Sequence, residues 1–188
     1  LELEGLTVFD PDSTKLIRAK KILINFELTQ LFSKQDVNID GIFLDSAHVF
    51  VTKINESDTS RNLNINVLIQ RINENYGSSG GGGRSPRINI GEAFINASHF
   101  TYVDQYHDSV KYGFNYNQFS VEIDEGQLQN FLILGDTTEF NVKTLLATDI
   151  QTRFSIKQLS TFFRLSQQRM EFTGMDLQAV DRTVIDRD

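Results

Sequence analysis

The first prospect of chemistry in this 188-residue chain lies in its three histidines. His107 falls between Asp104 and Asp108, a spacing that suits a carboxylate orienting an imidazole, or a weak metal pair. A catalytic or metal centre needs a third fixed partner, and the local sequence supplies none. His48 and His99 each sit among apolar strand residues, where a half-polar ring suits a strand edge at a bend. The acidic stretches Asp124-Glu125 and Asp136-Thr137-Thr138-Glu139 lack calcium-loop spacing and read as turns. No Gly-x-Ser-x-Gly elbow is present. The run Gly80 to Gly83 lacks the Lys-Ser/Thr that a phosphate loop requires. Cysteine is absent, which removes disulfides and thiolate metal sites. These residues predict a protein that is not an enzyme, with no catalytic residue, no metal and no cofactor.

The elements that hold these residues contain a repeat. Val37 to Val51 align without a gap against Ile88 to Tyr102, with Asn38 on Asn89, Ile39 on Ile90, Phe43 on Phe94 and His48 on His99. Matching apolar phase at a fixed spacing predicts one supersecondary unit used twice. In the first copy the apolar parity switches at Asp40-Gly41 and again at Asp45-Ser46. In the second, turn-prone Gly91 and Asn96 fall at the same places. A period-two strand changes phase only through a bulge or bend, so both copies predict built-in curvature.

Around the repeat the chain reads as strand almost throughout. Leu1, Leu3 and Leu6 mark a first strand, and Asp10-Pro11-Asp12-Ser13 a turn. Ile22, Ile24, Phe26 and Leu28 alternate as a second strand. Leu28, Leu31 and Phe32 suggest a helical turn, as do Leu159, Phe162 and Phe163. Ile65, Leu68, Ile69 and Ile72 predict a short helix over 65–75, with Asn62 or Asn64 as its N-cap, although Leu63, Ile65, Val67 and Ile69 also alternate as a strand would. Gly77 to Pro86 is a Gly/Ser-rich loop. Tyr112, Phe114 and Tyr116 alternate as an interior strand row. Further strands cover Phe119 to Ile123, Leu128 to Leu134, Phe140 to Ala147 and Arg153 to Ile156, with breaks at Asp124-Glu125-Gly126, Gly135-Asp136 and Thr148-Asp149. Met170, Phe172 and Leu177 open a last strand region. Few prolines (2) and many phenylalanines (15) fit long strands.

The apolar strand positions are the outstanding feature. Ile22, Ile24, Phe26, Ile39, Leu44, Val49, Ile90, Ile95, Phe100, Phe114, Val121 and Ile123 are the clearest members. Such a pattern serves the core of a β-sandwich or solenoid, or one face of a curved sheet left open to a ligand. A formal charge of −7 without a basic stripe argues against nucleic acid as partner. No apolar run is long enough to cross a bilayer. The opening at Leu1 and the polar run Asp181 to Asp188 read as the ends of a piece of a larger protein.

The order of elements from Lys21 to Ile72 resembles the AsmA-like superfamily of Gram-negative envelope proteins, most closely TamB-like (translocation and assembly module) proteins of Bacteroidetes type. The residues are Ile22-x-Ile24-x-Phe26-x-Leu28, Leu31-Phe32, Val37-x-Ile39, Ile42-x-Leu44-x-x-Ala47-x-Val49-x-Val51, then Asn62-Leu63-Asn64 and Leu68-Ile69. The opening Gly5-Leu6-Thr7-Val8-Phe9-Asp10 with Leu16-Ile17-Arg18-Ala19-Lys20 is similar to the strand pair before that unit. Leu159-Ser160-Thr161-Phe162-Phe163 looks like its short-helix element again. The resemblance implies an all-β fold, an elongated curved antiparallel sheet forming a taco-like apolar groove with two or three short helices. It divides the chain into 1–76, a groove unit, 77–87, a flexible loop, and 88–188, continuing groove repeats. It also implies a periplasm-spanning protein, anchored in the inner membrane outside this segment, that carries phospholipid toward the outer membrane. Phospholipid acyl chains would be the partner, with an outer-membrane barrel protein as a second. The alternative is a scaffold or chaperone in outer-membrane protein assembly, acting by strand-edge pairing. A third reading, an extracellular solenoid adhesin or carbohydrate enzyme, needs an exposed aromatic row or a carboxylate pair.

Overall fold

Alternating apolar and polar residues, β-branched side chains and scarce proline dictate extended chain, and the computed structural model is one eight-stranded sheet. It describes residues 1–10, 13–25, 36–53, 63–65, 87–108, 115–134, 137–166 and 170–181. The strands are β1 (Glu2–Phe9), β2 (Lys15–Asn25), β3 (Asp36–Thr52), β4 (Arg87–Val103), β5 (Gln118–Leu134), β6 (Thr137–Asp149), β7 (Phe154–Leu165) and β8 (Met170–Asp181). Their spatial order is their sequence order, β1 to β8. The sheet is therefore open, with β1 and β8 at its edges.

The expected all-antiparallel sheet is corrected at one pair. β3 and β4 run parallel, and every other neighbouring pair is antiparallel. Two strands joined by a long connection can lie parallel, which a tight hairpin forbids. The register of this pair reproduces the sequence repeat: Val37 faces Ile88, Asn38 faces Asn89, Phe43 faces Phe94 and His48 faces His99. The repeat is thus a pair of adjacent strands in register.

The expected phase changes are present. Ser46 (φ 50°) and Ala97 (φ 45°) occupy equivalent places in β3 and β4, both in the left-handed region. Gly5 (φ 64°) does the same in β1, and Asn130 (φ 54°) in β5. Each shifts the side-chain parity of its strand, bends it and increases local twist. At the other bend, Gly91 lies so close to β3 that a Cβ would meet the Asp40 carbonyl oxygen at 2.7 Å.

Several local expectations are corrected. Leu159, Phe162 and Phe163 lie inside β7 and form no helical turn. Their helix-like spacing comes from irregular register between β7 and β8 at Ile156/Gln158 and Ser160/Phe162. Asp124-Glu125-Gly126 does not interrupt β5; the strand passes through with a bulge. β7 begins at Phe154, and β6 runs through Thr148 to Asp149. Tyr116 is not interior: it stands in the turn before β5, 65% exposed. Tyr112 lies outside the described residues, as do Leu28, Leu31, Phe32 and the Gly77 to Pro86 loop. Of the predicted 65–75 helix only Ile65 is described, helical together with Asn64. The Asn64 side chain serves β3: its Oδ1 accepts from the Thr52 amide at 3.1 Å and its Nδ2 donates to the Phe50 carbonyl at 3.0 Å. Beyond these two residues the described chain holds no helix, where two or three short ones were expected.

Gly91 and Gly41 offer a matched test. Gly41 is the neighbour of the same bend in β3, and a Cβ there would meet the Glu92 oxygen at an ordinary 3.8 Å. Gly91→Ala is expected to lower the unfolding free energy by about 1–3 kcal/mol, as overpacking against backbone does. Gly41→Ala should cost clearly less, and urea titration of both variants measures the difference.

Candidate functional site

Residues paired directly across neighbouring strands share a face of the sheet. One chain of pairs is Leu3, Ile22, Leu44, Ile95, Gly126 and Leu145. The next is Ile24, Ile42, Ala93, Leu128, Val142 and Thr161. Beyond the second bend come Ile39, Ile90 and Phe131. On the other side of the first bend lie Ile17, Val49, Phe100 and Val121. Ser98 and Ile123 pair in the row between. The parity changes at Ser46, Ala97 and Asn130 keep all these rows on one face.

Ten of the proposed groove residues are thereby brought together: Ile22, Ile24, Ile39, Leu44, Val49, Ile90, Ile95, Phe100, Val121 and Ile123. Phe26 and Phe114 lie outside the described residues. Of the ten only Ile22, 7% exposed, is buried; the rest are half-buried. Along the first bend Ala19, Ala47 and Ala147 are 1–2% exposed, and Leu16 near the start of β2 is fully buried. Leu6, Ile24, Ile42 and Leu44 pack around Ala19, Ile22 and Ala47.

Sequence reasoning missed an aromatic ladder on this face. Phe131 stacks on Phe140 at 5.2 Å, Phe140 meets Phe163 at 4.7 Å, and Phe163 meets Phe172 edge-on at 5.2 Å. Such ring pairs each add about 0.5–1.5 kcal/mol beyond area burial. The four residues are spread over four strands, so only the register reveals the ladder. At the other end of the face, Phe119 lies against Phe100 and Tyr102 at 5.9 and 5.5 Å.

The opposite face carries the polar row Arg18, His48, His99, Glu122, Thr148 and Ser155. His48 and His99 are neighbours across the parallel pair, ring centroids 5.4 Å apart. His48 Nε2 lies 2.9 Å from Thr101 Oγ1, which lies 3.0 Å from Ser120 Oγ. His48 also stacks on Phe50 at 3.6 Å, and His99 faces Glu122 at 3.5 Å. Among the described residues no cluster of three histidine or acidic side chains has metal-holding geometry.

His107 and Asp104 do meet, Nδ1 to Oδ2 at 2.8 Å, but the carboxylate is shared. Lys53 Nζ donates to the same oxygen at 3.2 Å, and the Tyr106 amide donates to Oδ1 at 3.0 Å. Burial pushes the Asp104 carboxyl upward, yet the Tyr106 amide, His107 and Lys53 outweigh it and hold it below the usual carboxylate range. Lys53 and Asp104 are both buried and occupy equivalent positions of the repeat, 51 residues apart. The alignment, carried two residues past Val51 and Tyr102, finds this pair. Its place is structural, at the end of the parallel strands, where the Lys53 amide also donates to the Val103 carbonyl at 3.0 Å.

A scan against protein-family models finds no match, and no curated protein sequence matches the chain.

Lys53→Met leaves Asp104 without its lysine; in a sheet one layer thick, with water close by, the cost is expected at about 1–3 kcal/mol. Asp104→Leu combined with Lys53→Met should recover part of it, read by urea midpoint. A second prediction concerns His48, whose pKa burial holds below the usual 6.5, with His99 adding to the effect. As acid is added, the unfolded chain takes up this proton before the folded one does. The histidine's stability term is therefore complete above about pH 6.5 and shrinks as pH falls through that value toward the lower folded one. Urea midpoints at pH 7.5 and 5.5 should differ in the parent chain and differ less in His48→Gln.

Proposed function

We propose that this chain is a lipid-holding β-groove segment and that acyl chains lie along its apolar face. The carrying observation is one continuous apolar face crossing the strands of a single-layer sheet, half-exposed along most of its rows. A site for acyl chains needs area and continuity rather than aimed polar groups. Each CH₂ taken from water contributes about 0.8 kcal/mol. The sheet offers roughly 34 Å across eight strands at about 4.8 Å each, and strands of seventeen residues reach about 55 Å.

The buried alanines support a sheet folded toward this face. A methyl group in a one-layer sheet reaches 1–2% exposure when larger neighbours in the flanking rows lean over it. Bends placed in step at Gly5, Ser46 and Ala97 would fold the sheet in that sense. Headgroups would stay in water at the open side, and the polar row would face outward.

The sequence resemblance to AsmA-like, TamB-like proteins points the same way. On that reading the chain belongs to a periplasm-spanning envelope protein, anchored in the inner membrane outside this segment. It would pass phospholipid toward the outer membrane by sliding, with no chemical step, and an outer-membrane barrel protein would be a further partner.

Mass spectrometry of organic extracts from the purified chain, against a mock purification, tests the proposal. Enriched phospholipid is expected, lost in Ile24→Asp and in Ile90→Asp while circular dichroism still reports sheet. A clean extract from a well-folded chain would defeat the lipid reading.

A further inference from the structure

The two edge strands carry one pattern. β1 reads Glu2-Leu3-Glu4-Gly5-Leu6-Thr7-Val8 and β8 reads Glu171-Phe172-Thr173-Gly174-Met175-Asp176-Leu177. Gly5 and Gly174 fall at the same place and have the same φ, 64°. Leu3, Leu6 and Val8 lie on the apolar face of the sheet, and by register and ring contact so do Phe172 and Leu177. The single parallel pair makes the equivalence exact in sense. With one parallel step among seven, β1 and β8 point the same way along the sheet. The outer edge of β8 is therefore the counterpart of the β1 edge that β2 occupies. In β1 that edge is used: Leu1 and Ile24 exchange both backbone hydrogen bonds at 2.8 Å. L-chirality ties the lateral direction of a residue's N–H and C=O to its face and chain direction. The peptide groups of Phe172, on the same face of a strand running the same way, thus point to the free edge. That edge presents Phe172, Met175, Leu177 and Val180, all 43–55% exposed.

We propose that the outer edge of β8 is a strand-addition site for an antiparallel, apolar-and-cationic strand of the β2 kind. Charge selects this occupant. In β2, Lys21 bonds Glu2 at 2.6 Å, and Arg18 lies opposite Thr7. Glu171 already lies 3.8 Å from Arg164 of β7, so the selecting charge on β8 is the exposed Asp176, the counterpart of Thr7, and a β2-like strand brings an arginine opposite it. A second copy adding its own β1 in parallel, as β4 adds to β3, would instead set the neutral Thr7 beside Asp176 and bring that carboxylate no cation. A long apolar edge of this kind is a template that proteins cover. The inference is independent of the lipid reading, since it concerns the edge and not the face.

The test adds a fluorescent peptide with the sequence Lys15–Asn25 to the 188-residue chain and follows anisotropy and amide hydrogen exchange. Saturable binding is expected, with protection gained in Met170–Asp181 and none gained on β1. A peptide carrying Arg18→Glu and Lys21→Glu should bind at least tenfold more weakly. Asp176 is exposed, and the chain variant Asp176→Lys should weaken the parent peptide at least tenfold and restore the charge-reversed one. The proposal is overturned by absent binding, by equal binding of a scrambled peptide, or by protection that appears on β1 and β2. Self-association of the chain alone with β1 and β8 both protected would overturn it in favour of a second copy.

Discussion

The parallel, in-register pairing of β3 with β4 is the constraint on which the rest of this sheet depends. Each strand changes side-chain parity at its bends, and each change alone would turn the following apolar residues to the wrong face. Because Ser46 and Ala97 stand at the same step of the two strands, the parity changes coincide and the pair stays in register from Asp36 with Arg87 to Thr52 with Val103. Two devices hold that register. Gly91 lets β4 approach the Asp40 carbonyl where no side chain would fit, and the buried Lys53–Asp104 pair closes the far end. A slip by one residue would break both and expose the apolar set.

From this pair the two-faced character spreads outward. Antiparallel neighbours inherit the register, so apolar rows continue into β2 and β1 on one side and into β5 and β6 on the other. The opposite face, which also carries the row Leu23, Phe43 and Phe94, is tied across strands by polar pairs. Asn96 Nδ2 donates to Asp45 at 2.7 Å, Gln129 Nε2 donates to Glu92 at 3.0 Å, and Arg164 Nε donates to Glu139 at 2.7 Å. Local side-chain caps end the strands, as at Asp149, which accepts from the Thr152 amide and hydroxyl at 2.7 and 2.6 Å. A one-layer sheet buries less apolar area per residue than a sandwich, so these cross-strand pairs and the phenylalanine ladder carry a larger share of its stability.

The one parallel step also sets what the edges can do. Eight strictly antiparallel strands would leave β1 and β8 pointing in opposite directions. Here they point the same way, share the Glu-x-x-Gly pattern and turn the same face toward the apolar side. The sheet thus ends on a strand built like its first, with the peptide groups of Phe172 toward its outer edge and Asp176 exposed.

Much of this was legible in the residues. Strict alternation around Ile22 and Ile24, the parity switches at Asp40-Gly41 and Asp45-Ser46, and the repeat itself all follow from local pattern, because period two and its interruptions are properties of a single strand. The nearness of His107 to Asp104 was suggested by their spacing, whereas the sharing of that carboxylate with Lys53 required the fold to show. The helical reading of Leu159, Phe162 and Phe163 failed because a bulge shifts strand parity by one residue and leaves an i, i+3, i+4 spacing behind. Tyr116 was misplaced because alternation persists into a turn built on Asn115, whose Oδ1 accepts from the Asn117 and Gln118 amides. By itself the sequence determined strand content, where strands bend, and which residues are apolar in phase. Only the tertiary structure decided that the two copies lie side by side and parallel, that four phenylalanines from four strands form one ladder, and that Lys53 meets Asp104. Those are contacts between distant segments, set by which strand edges hydrogen-bond to each other, and no local pattern encodes that choice.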